Sequence, residues 1–316
     1  MAGSTPSRTG PRGTTARLIW PRQSLAGCIF AAIERDTRGV ELSESERFNH
    51  FPATPFCTLH WLLEGQGHMI SRPEHVHAPV TGAPIPRFSF YGPQHGSRHS
   101  WNPGPVHFLT LIIYPEAFAS LTGIDLTAQI NHMAPAEHIL PDAMLSGTAA
   151  CPRSGDTIAD GTALFQALEA RFDPWWRAAR PDRHAVTIWL RDWSMSLAAR
   201  AATTGVGRGV RQIQRRVKSW TGQSVRDLQA FGSTEKLFAQ FGVRKIREDI
   251  DWARLAADTG FADQSHMTRR VRRDTGFSPE RFRQLIEQDE TFWFYRLLGE
   301  RYWSVAAAAE FVSDGN

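Results

Sequence analysis

The stretch that most constrains this chain is 250–283, which has the pattern of a helix, a tight turn and a strongly basic second helix. Apolar residues recur at helical spacing in the first segment, for example at Leu255 and Ala256. Gly260 is a typical helix terminator, and Asp263 is a good N-cap for the segment that follows. The spacing therefore predicts a helix-turn-helix unit.

The second helix of this unit has two different faces. Met267 and Val271 are four residues apart and are expected to face inward, whereas polar and cationic residues occupy the opposite side. A cationic helix after a short turn is the arrangement that places a helix in the major groove of DNA. The same charge could belong to a solvated surface helix, because runs of charge usually face water. The capped turn and the small Ala256 facing it favour DNA binding.

The stretch also resembles the second helix-turn-helix of AraC/XylS-type transcription regulators. The matching residues keep fixed spacing: Leu255-Ala256, Gly260-Phe261, Asp263-Gln264-Ser265-His266, Thr268-Arg269 and Gly276-Phe277-Ser278-Pro279. The chain departs from the family where Met267 and Val271 replace a frequent Leu and Phe. By the resemblance, the residues expected to enter the major groove are Gln264, Ser265, His266, Thr268, Arg269 and Arg272.

Arginine side chains in this unit are expected to play two roles. Arg269 and Arg272 are the candidates for bidentate contacts to guanine. The others are expected to meet phosphates or solvent, namely Arg270, Arg273, Arg281 and Arg283.

Residues 205–231 resemble the recognition half of a first helix-turn-helix of the same family, in the run 211–218 and in Thr221-Gly222. Ile213 and Val217 are expected to face inward. The residues expected to contact DNA are Arg211, Gln212, Gln214, Arg215 and Lys218. The join at 203–207 is richer in glycine than a well-formed turn requires, so this unit is expected to contribute mostly phosphate contacts.

The charge of the chain is unevenly distributed. Residues 203–287 contain 17 Lys and Arg against 10 Asp and Glu, an excess of seven, while the whole chain has a net charge of +4. The remainder is therefore slightly acidic, at −3. This division indicates that only the C-terminal part meets a polyanion.

The region from about 25 to 114 has the pattern of short strands between Gly- and Pro-rich breaks, which is typical of a sandwich or small barrel. The stretch HWLLEGQGHM resembles the start of the cupin-like barrel that precedes many AraC-type DNA-binding domains. The resemblance implies an effector pocket inside a barrel at 25–125. The candidate lining residues are Phe56, Trp61, Phe88, Phe90 and Phe108, although any core contains such residues.

Five segments are expected along the chain. A disordered lead (1–24) precedes the barrel, and loops with a helical hairpin (126–202) follow it as a linker or dimerisation element. The DNA-binding domain occupies 203–287, with a connecting helix at 234–247 inside it. An aromatic tail (288–316) is expected to pack on the body, because so many aromatic residues would not stay in water.

A metal-dependent cupin enzyme fused to a DNA-binding module is an alternative. His75-Val76-His77 has the spacing of a metal pair on a strand, and His95, His99 and His107 follow. In metal-binding cupins a Glu comes a few residues after the pair, whereas residues 78–82 contain no carboxylate. Solvated loop histidines are therefore the favoured interpretation, with no metal or other cofactor.

The remaining composition indicates a cytoplasmic protein. Cys28, Cys57 and Cys151 are too widely spaced for a disulfide framework or a metal motif. No stretch approaches the roughly 18–20 apolar residues that span a bilayer, and the N-terminus has no apolar segment of the secretory kind.

The combined prediction is an α+β chain of two domains, an N-terminal cupin-like β-barrel with a helical hairpin and a C-terminal all-α double helix-turn-helix. Its predicted function is that of a sequence-specific transcription regulator, not an enzyme, controlled by a small-molecule effector. Control by partner proteins or by abundance, without a ligand, is the other alternative. The expected partners are double-stranded operator DNA, an unknown effector, a second copy of the chain and, for an activator, RNA polymerase.

Overall fold

The computed structural model describes residues 4–5, 16–70, 82–148, 160–181, 189–205, 209–243 and 250–299. It is an α+β protein, as predicted, with strands up to residue 135 and helices dominating the remainder. The strands are β1 (Ser4–Thr5), β2 (Ala16–Ile19), β3 (Ile29–Asp36), β4 (Phe48–Phe51), β5 (Cys57–Glu64), β6 (His68–Ile70), β7 (Ala83–Pro84), β8 (Phe88–Tyr91), β9 (Arg98–Trp101), β10 (His107–Ile113) and β11 (Met133–Pro135). The helices are α1 (Pro115–Thr122), α2 (Asp142–Thr148), α3 (Gly161–Ala179), α4 (Leu190–Thr203), α5 (Val210–Thr221), α6 (Val225–Val243), α7 (Trp252–Thr259), α8 (Gln264–Thr275) and α9 (Pro279–Gln288).

The strands form two antiparallel sheets, which together make up the β-domain. One sheet has seven strands in the order β1-β2-β3-β10-β5-β8-β11, and the other has four in the order β4-β9-β6-β7. Strand β10 lies between β3 and β5, with Thr110 opposite both Ile33 and His60. Gly65 follows β5 with a φ of 85°, and a Cβ there would lie 2.3 Å from the carbonyl oxygen of Pro105. The chain can therefore leave the first sheet and enter the second only with glycine at this position.

Alternation along the central strands gives the seven-stranded sheet two different faces. Thr58 and His60 of β5 point into a cavity on the face toward the second sheet. Phe90 of β8 lies on the other face and stacks on Phe118 of α1, with ring centroids 4.9 Å apart. The outer face is thus covered by helices and the inner face borders a cavity.

The prediction of a disordered N-terminal lead is wrong for residues 16–24. Strand β2 pairs with β3, placing Leu18 opposite Ile33, and Leu18 is buried. Arg17 of the same strand pairs with the carboxylate of Glu34. The four residues of β2 give too short a pattern to predict a strand from the sequence. The prediction is also wrong for Ser4–Thr5, which form β1 and pair with β2. Residues 1–3 and 6–15 of the predicted lead lie outside the described residues.

Helix α6 begins earlier than the connecting helix predicted at 234–247. The Ser224 hydroxyl accepts a 3.1 Å hydrogen bond from the Asp227 N–H and donates one of 2.6 Å to the Asp227 carboxylate. This local cap starts the helix at Val225. Within α6, Leu228 and Phe231 are buried in the same core as the β-domain.

The described part of the aromatic tail, 288–299, packs against the β-domain. Trp293 is buried and donates a 2.8 Å hydrogen bond from Nε1 to Oδ1 of Asn49. Phe292 stacks on His50, with ring centroids 4.6 Å apart. No helix within the described ranges is long and apolar enough to cross a membrane.

Candidate DNA-binding helices and interior cavity

The turn between α7 and α8 has the geometry that the sequence predicts. Gly260 ends α7 with a φ of 87°, in the left-handed region. The Asp263 carboxylate caps α8 by accepting a 2.6 Å hydrogen bond from the N–H of His266. Met267 and Val271 are fully buried against Leu255 and other apolar residues of this unit. The inward face of α8 is therefore fixed by packing.

The opposite face of α8 carries the residues predicted to read DNA. Thr268 is half-buried, and the remaining five are exposed: Gln264, Ser265, His266, Arg269 and Arg272. Asp263 at the N-terminus and the basic residues of the last turn both suit the helix dipole. The structure thus brings these side chains together on one free surface.

Arg270 is not a phosphate-contacting or solvated residue, and the prediction for it is wrong. Its side chain is 6% exposed and pairs with the buried carboxylate of Asp274. The guanidinium also lies over the ring of Phe231, 4.8 Å from its centroid. Asp274 accepts a further 2.8 Å hydrogen bond from the hydroxyl of Thr234. These contacts attach α8 to α6, because a buried charge must find its partners inside the protein.

The other three arginines expected to meet phosphates or solvent differ in exposure. Arg273 and Arg281 are exposed, whereas Arg283 is largely buried and pairs with Glu280 at 3.0 Å.

Helix α5 presents a second exposed cationic face. All of the residues predicted to contact DNA from this helix are exposed, namely Arg211, Gln212, Gln214, Arg215 and Lys218. Val217 is buried and Ile213 half-buried, as their spacing predicts. Arg216 donates a 2.7 Å hydrogen bond to the carbonyl oxygen of Ala201 near the end of α4. Helices α4 and α5 therefore form the first unit.

Both units are held directly against the β-domain. The N–H of Ala53 donates a 2.8 Å hydrogen bond to the carbonyl oxygen of Asp274 at the end of α8. After α5, the side-chain amide of Gln223 donates a 2.9 Å hydrogen bond to the carbonyl oxygen of Pro55. The loop after β4, which contains Ala53 and Pro55, thus contacts both helix-turn-helix units.

A cavity of about 140 Å³ lies between the two sheets and is closed on one side by α6 and the tail. Most of its wall is apolar, with Phe30 and Phe108 from the strands, Phe238 from α6 and Trp293 from the tail. The wall therefore includes residues of the β-domain and of the helical part. A ligand in this cavity would touch both.

Only two of the five predicted pocket aromatics border this cavity, Phe56 and Phe108. Trp61 and Phe88 stack on each other with centroids 4.8 Å apart, and neither borders the cavity. Phe90 lies on the helix-covered face described above. Side chains alternate between the two faces along a strand. A prediction made from residue type alone therefore included aromatic residues from both faces of the sheet.

Polar groups in the cavity wall were missed by sequence reasoning. Arg98 of β9 lies over the ring of Tyr91, 4.4 Å from its centroid, and burial lowers the pKa of this arginine to about 10. His60 shares a 2.9 Å hydrogen bond with the hydroxyl of Thr110. Burial, and then the nearby Arg98, lower the pKa of His60 to about 4, so that its ring is neutral near pH 7. The RHSW sequence of β9 has no alternation of apolar and polar residues, so it gave no signal for a strand.

The candidate metal-ligand histidines that the structure describes, His95, His99 and His107, form no metal-binding group. His107 bonds through Nε2 to the Glu34 carboxylate at 2.8 Å, and His99 bonds through Nδ1 to Nδ1 of His50 at 2.7 Å. His75 and His77 lie outside the described residues. Within the described ranges no group of three or more His, Cys, Asp or Glu side chains could hold a metal ion.

The other residues considered for chemistry are partly placed. Cys28 and Cys57 are buried free thiols, and burial raises the pKa of both. Among the described residues, His95 does not line the cavity and belongs to no group that could hold a metal ion. Cys151 lies outside the described residues.

No protein-family model and no curated protein sequence matches the chain. Among solved structures it is similar to ToxT from Vibrio cholerae, with 11% identity, 75% of this chain and 94% of that chain covered, and a TM-score of 0.34. It is also similar to ToxT bound to an unsaturated fatty acid, with 12% identity, coverage of 77% and 94%, and a TM-score of 0.32. A third is the AraC-like transcriptional activator CuxR, with 12% identity, coverage of 89% and 85%, and a TM-score of 0.27. At these values function has to be argued from the chain's own residues.

Proposed function

We propose that this chain is a sequence-specific DNA-binding transcription regulator of the AraC type, in which α8 reads bases and α5 supplies most of the phosphate contacts. The observation that carries the proposal is the division of the α8 arginines. Arg270 is buried and paired with Asp274, which fixes the helix to α6, whereas Arg269 and Arg272 remain exposed on the outer face. A helix held rigidly on one side, with free guanidinium groups on the other, suits base recognition in a major groove.

The charge of the second helix supports the same function. Arg211, Arg215 and Lys218 are exposed on α5, and cations of this kind gain affinity for DNA by releasing counterions from phosphates. The glycine-rich join before α5 makes phosphate contact the more plausible role for this unit, because phosphate contacts need less exact positioning than base contacts.

Selection from a pool of random duplexes tests this proposal directly. The full chain should enrich a defined sequence with two recognition segments about one helical turn, roughly 10 base pairs, apart. Enrichment should persist as salt rises, while overall affinity falls. Binding of every duplex with equal affinity would contradict sequence-specific recognition, and absence of binding at low salt would contradict DNA binding altogether.

We further propose that an effector in the interior cavity controls DNA binding. The cavity supports this proposal because its wall includes residues of the β-domain, of α6 and of the tail. An occupant can bias a protein only by binding two arrangements with different affinity, and a cavity shared by both parts of the chain provides that difference. Regulation by partner proteins or by abundance, without a ligand, would instead leave DNA affinity insensitive to every small molecule that the cavity binds.

A further inference from the structure

Arg98 is the feature of the cavity that its surroundings do not explain. Its Nε atom is inaccessible to solvent and has no hydrogen-bond partner. Within the described residues, no hydrogen bond or ion pair reaches its guanidinium, and the neighbouring group that acts on its charge is the phenol of Tyr91 rather than a carboxylate. Glu235 also borders the cavity, but its carboxylate accepts a 2.6 Å hydrogen bond from the N–H of Leu190 at the start of α4.

A charged guanidinium without an acidic partner is costly inside a protein, so natural proteins pair such groups. Apart from Arg98 and Glu235, the described residues of the wall include no Lys, Arg, Asp or Glu side chain, and most of the wall is aromatic or aliphatic. The occupant that satisfies both conditions has an apolar body and one negative charge. A dianion, such as a phosphate monoester, would leave one negative charge buried without a partner. A neutral ligand would leave Arg98 as it is.

The wall of the cavity is joined to the end of α8 at one residue. Ala53 and Thr234 both border the cavity, and both donate 2.8 Å hydrogen bonds to Asp274, one to its main-chain carbonyl and one to its carboxylate. Next to Arg98 on the chain, the N–H of Ser97 donates a 3.4 Å hydrogen bond to the carbonyl oxygen of Arg273. These hydrogen bonds connect the wall of the cavity directly to the last turn of α8.

We propose that the cavity binds an apolar monocarboxylate whose carboxylate pairs with Arg98, and that Ala53 and Thr234 transmit its presence to α8 through Asp274. This inference rests on the effector part of the proposed function, but its test requires no DNA. Its failure is therefore distinguishable from failure of the DNA-binding assignment.

Octanoate is a suitable probe. A cavity of about 140 Å³ has room for roughly ten water-sized probes, and octanoate has about as many non-hydrogen atoms. Isothermal titration of the full chain with octanoate, 1-octanol and octylammonium separates charge from apolar burial, because the three share one alkyl chain. Octanoate should bind at least about tenfold more tightly than octanol, and octylammonium more weakly than both.

The variant Arg98→Gln should lose at least about tenfold in octanoate affinity and retain the affinity for octanol. In the ligand-free state it should melt at a higher temperature than wild type, because a half-buried charge without an acidic partner has been removed. Arg87→Gln removes an exposed arginine of the same domain and should change neither property. If octanoate and octanol bind wild type equally, or if neither binds, the assignment of Arg98 is wrong, and these outcomes do not depend on how any variant folds.

Amide hydrogen exchange tests the coupling to α8. Octanoate should slow exchange in the last turn of α8 of wild type, and Thr234→Val should reduce that protection even at an octanoate concentration that titration shows to saturate the variant. Thr203→Val, at an exposed threonine of α4, is the matched control and should behave as wild type. If octanoate protects the strands around the cavity but not α8, or if the protection of α8 survives Thr234→Val, the coupling through Asp274 is contradicted.

Discussion

The guanidinium of Arg270 pairs with the carboxylate of Asp274 one helical turn later, and both side chains are buried. Because both groups are largely removed from water, desolvation lowers the pKa of Arg270 and raises that of Asp274. Next to this pair, Arg269 is exposed. Arg270 thus has a structural role, whereas its neighbour Arg269 is exposed, as the recognition role proposed for it requires.

Asp274→Ala should destabilise the protein by about 3–5 kcal/mol, because it leaves the charge of Arg270 buried without its partner. Arg269→Ala should change the free energy of unfolding by no more than about 0.5 kcal/mol, since the side chain is at the surface. Chemical denaturation of both variants measures the difference. Equal effects on stability would contradict the burial of the pair formed by Arg270 and Asp274.

The tail is expected to be part of the cooperative fold. Trp293 is 3% exposed, and the guanidinium of Arg35 lies 4.3 Å from its ring centroid. Trp293→Ala should cost about 3–5 kcal/mol. Trp293→Phe should cost less, because it keeps a ring and loses mainly the hydrogen bond to Asn49. Both variants should unfold in one transition during denaturation, and a separate early transition would show that the tail unfolds independently.

Acid should destabilise the protein through the pair formed by His50 and His99. Burial, with His99 as a second cause for His50, lowers the pKa of His50 to about 3, and burial lowers that of His99 to about 4. The unfolded chain takes up these protons near pH 6.5. The stability that depends on neutral His50 and His99 is therefore complete above pH 6.5. It is lost as the pH falls toward 4 and 3, at up to about 1.4 kcal/mol per pH unit for each histidine.

The free energy of unfolding of His50→Gln, measured between pH 7.5 and 4.5, should fall less steeply with acid than that of wild type. His132→Gln removes an exposed histidine and serves as the control. A wild-type slope retained in full by His50→Gln would exclude the pair as a source of acid sensitivity.

Helix α5 is expected to contribute affinity rather than specificity. Arg215→Ala and Lys218→Ala should each weaken binding about equally on the selected duplex and on unrelated duplexes. Each should lower the slope of log affinity against log salt by about one, because one phosphate contact is lost. Fluorescence anisotropy at several salt concentrations measures both quantities. A change in the preferred sequence would instead assign base reading to α5.

The sequence predicted the helical elements of the two units well, because caps and left-handed glycines are local signals. Gly260, Asp263 and the buried pair of Met267 and Val271 are examples. Burial of Arg270 could not be predicted from the sequence, because Phe231, whose ring it covers, comes from a distant helix and Arg270 lies among arginines that face solvent.

The interior of the β-domain was harder to predict. Phe56 and Phe108 border the cavity but Phe90 does not, because the face to which a residue points depends on strand register and not on residue type. Arg98 gave no signal at all, since its lack of a partner exists only once the two sheets face each other. Local patterns therefore located the proposed DNA-contacting surface, whereas the cavity could be found only in the tertiary structure.

Base-resolved specificity of Arg269→Ala is the most direct test of the proposed function. Affinities for single-base variants of the selected duplex are measured at fixed salt for wild type, Arg269→Ala and Arg254→Ala, the last being an arginine of α7 with 75% of its side chain exposed. Arg269→Ala should lose about 1–3 kcal/mol of discrimination at one base pair and keep it elsewhere, and Arg254→Ala should keep all of it. Unchanged discrimination at every base pair in Arg269→Ala would contradict base reading by this face of α8.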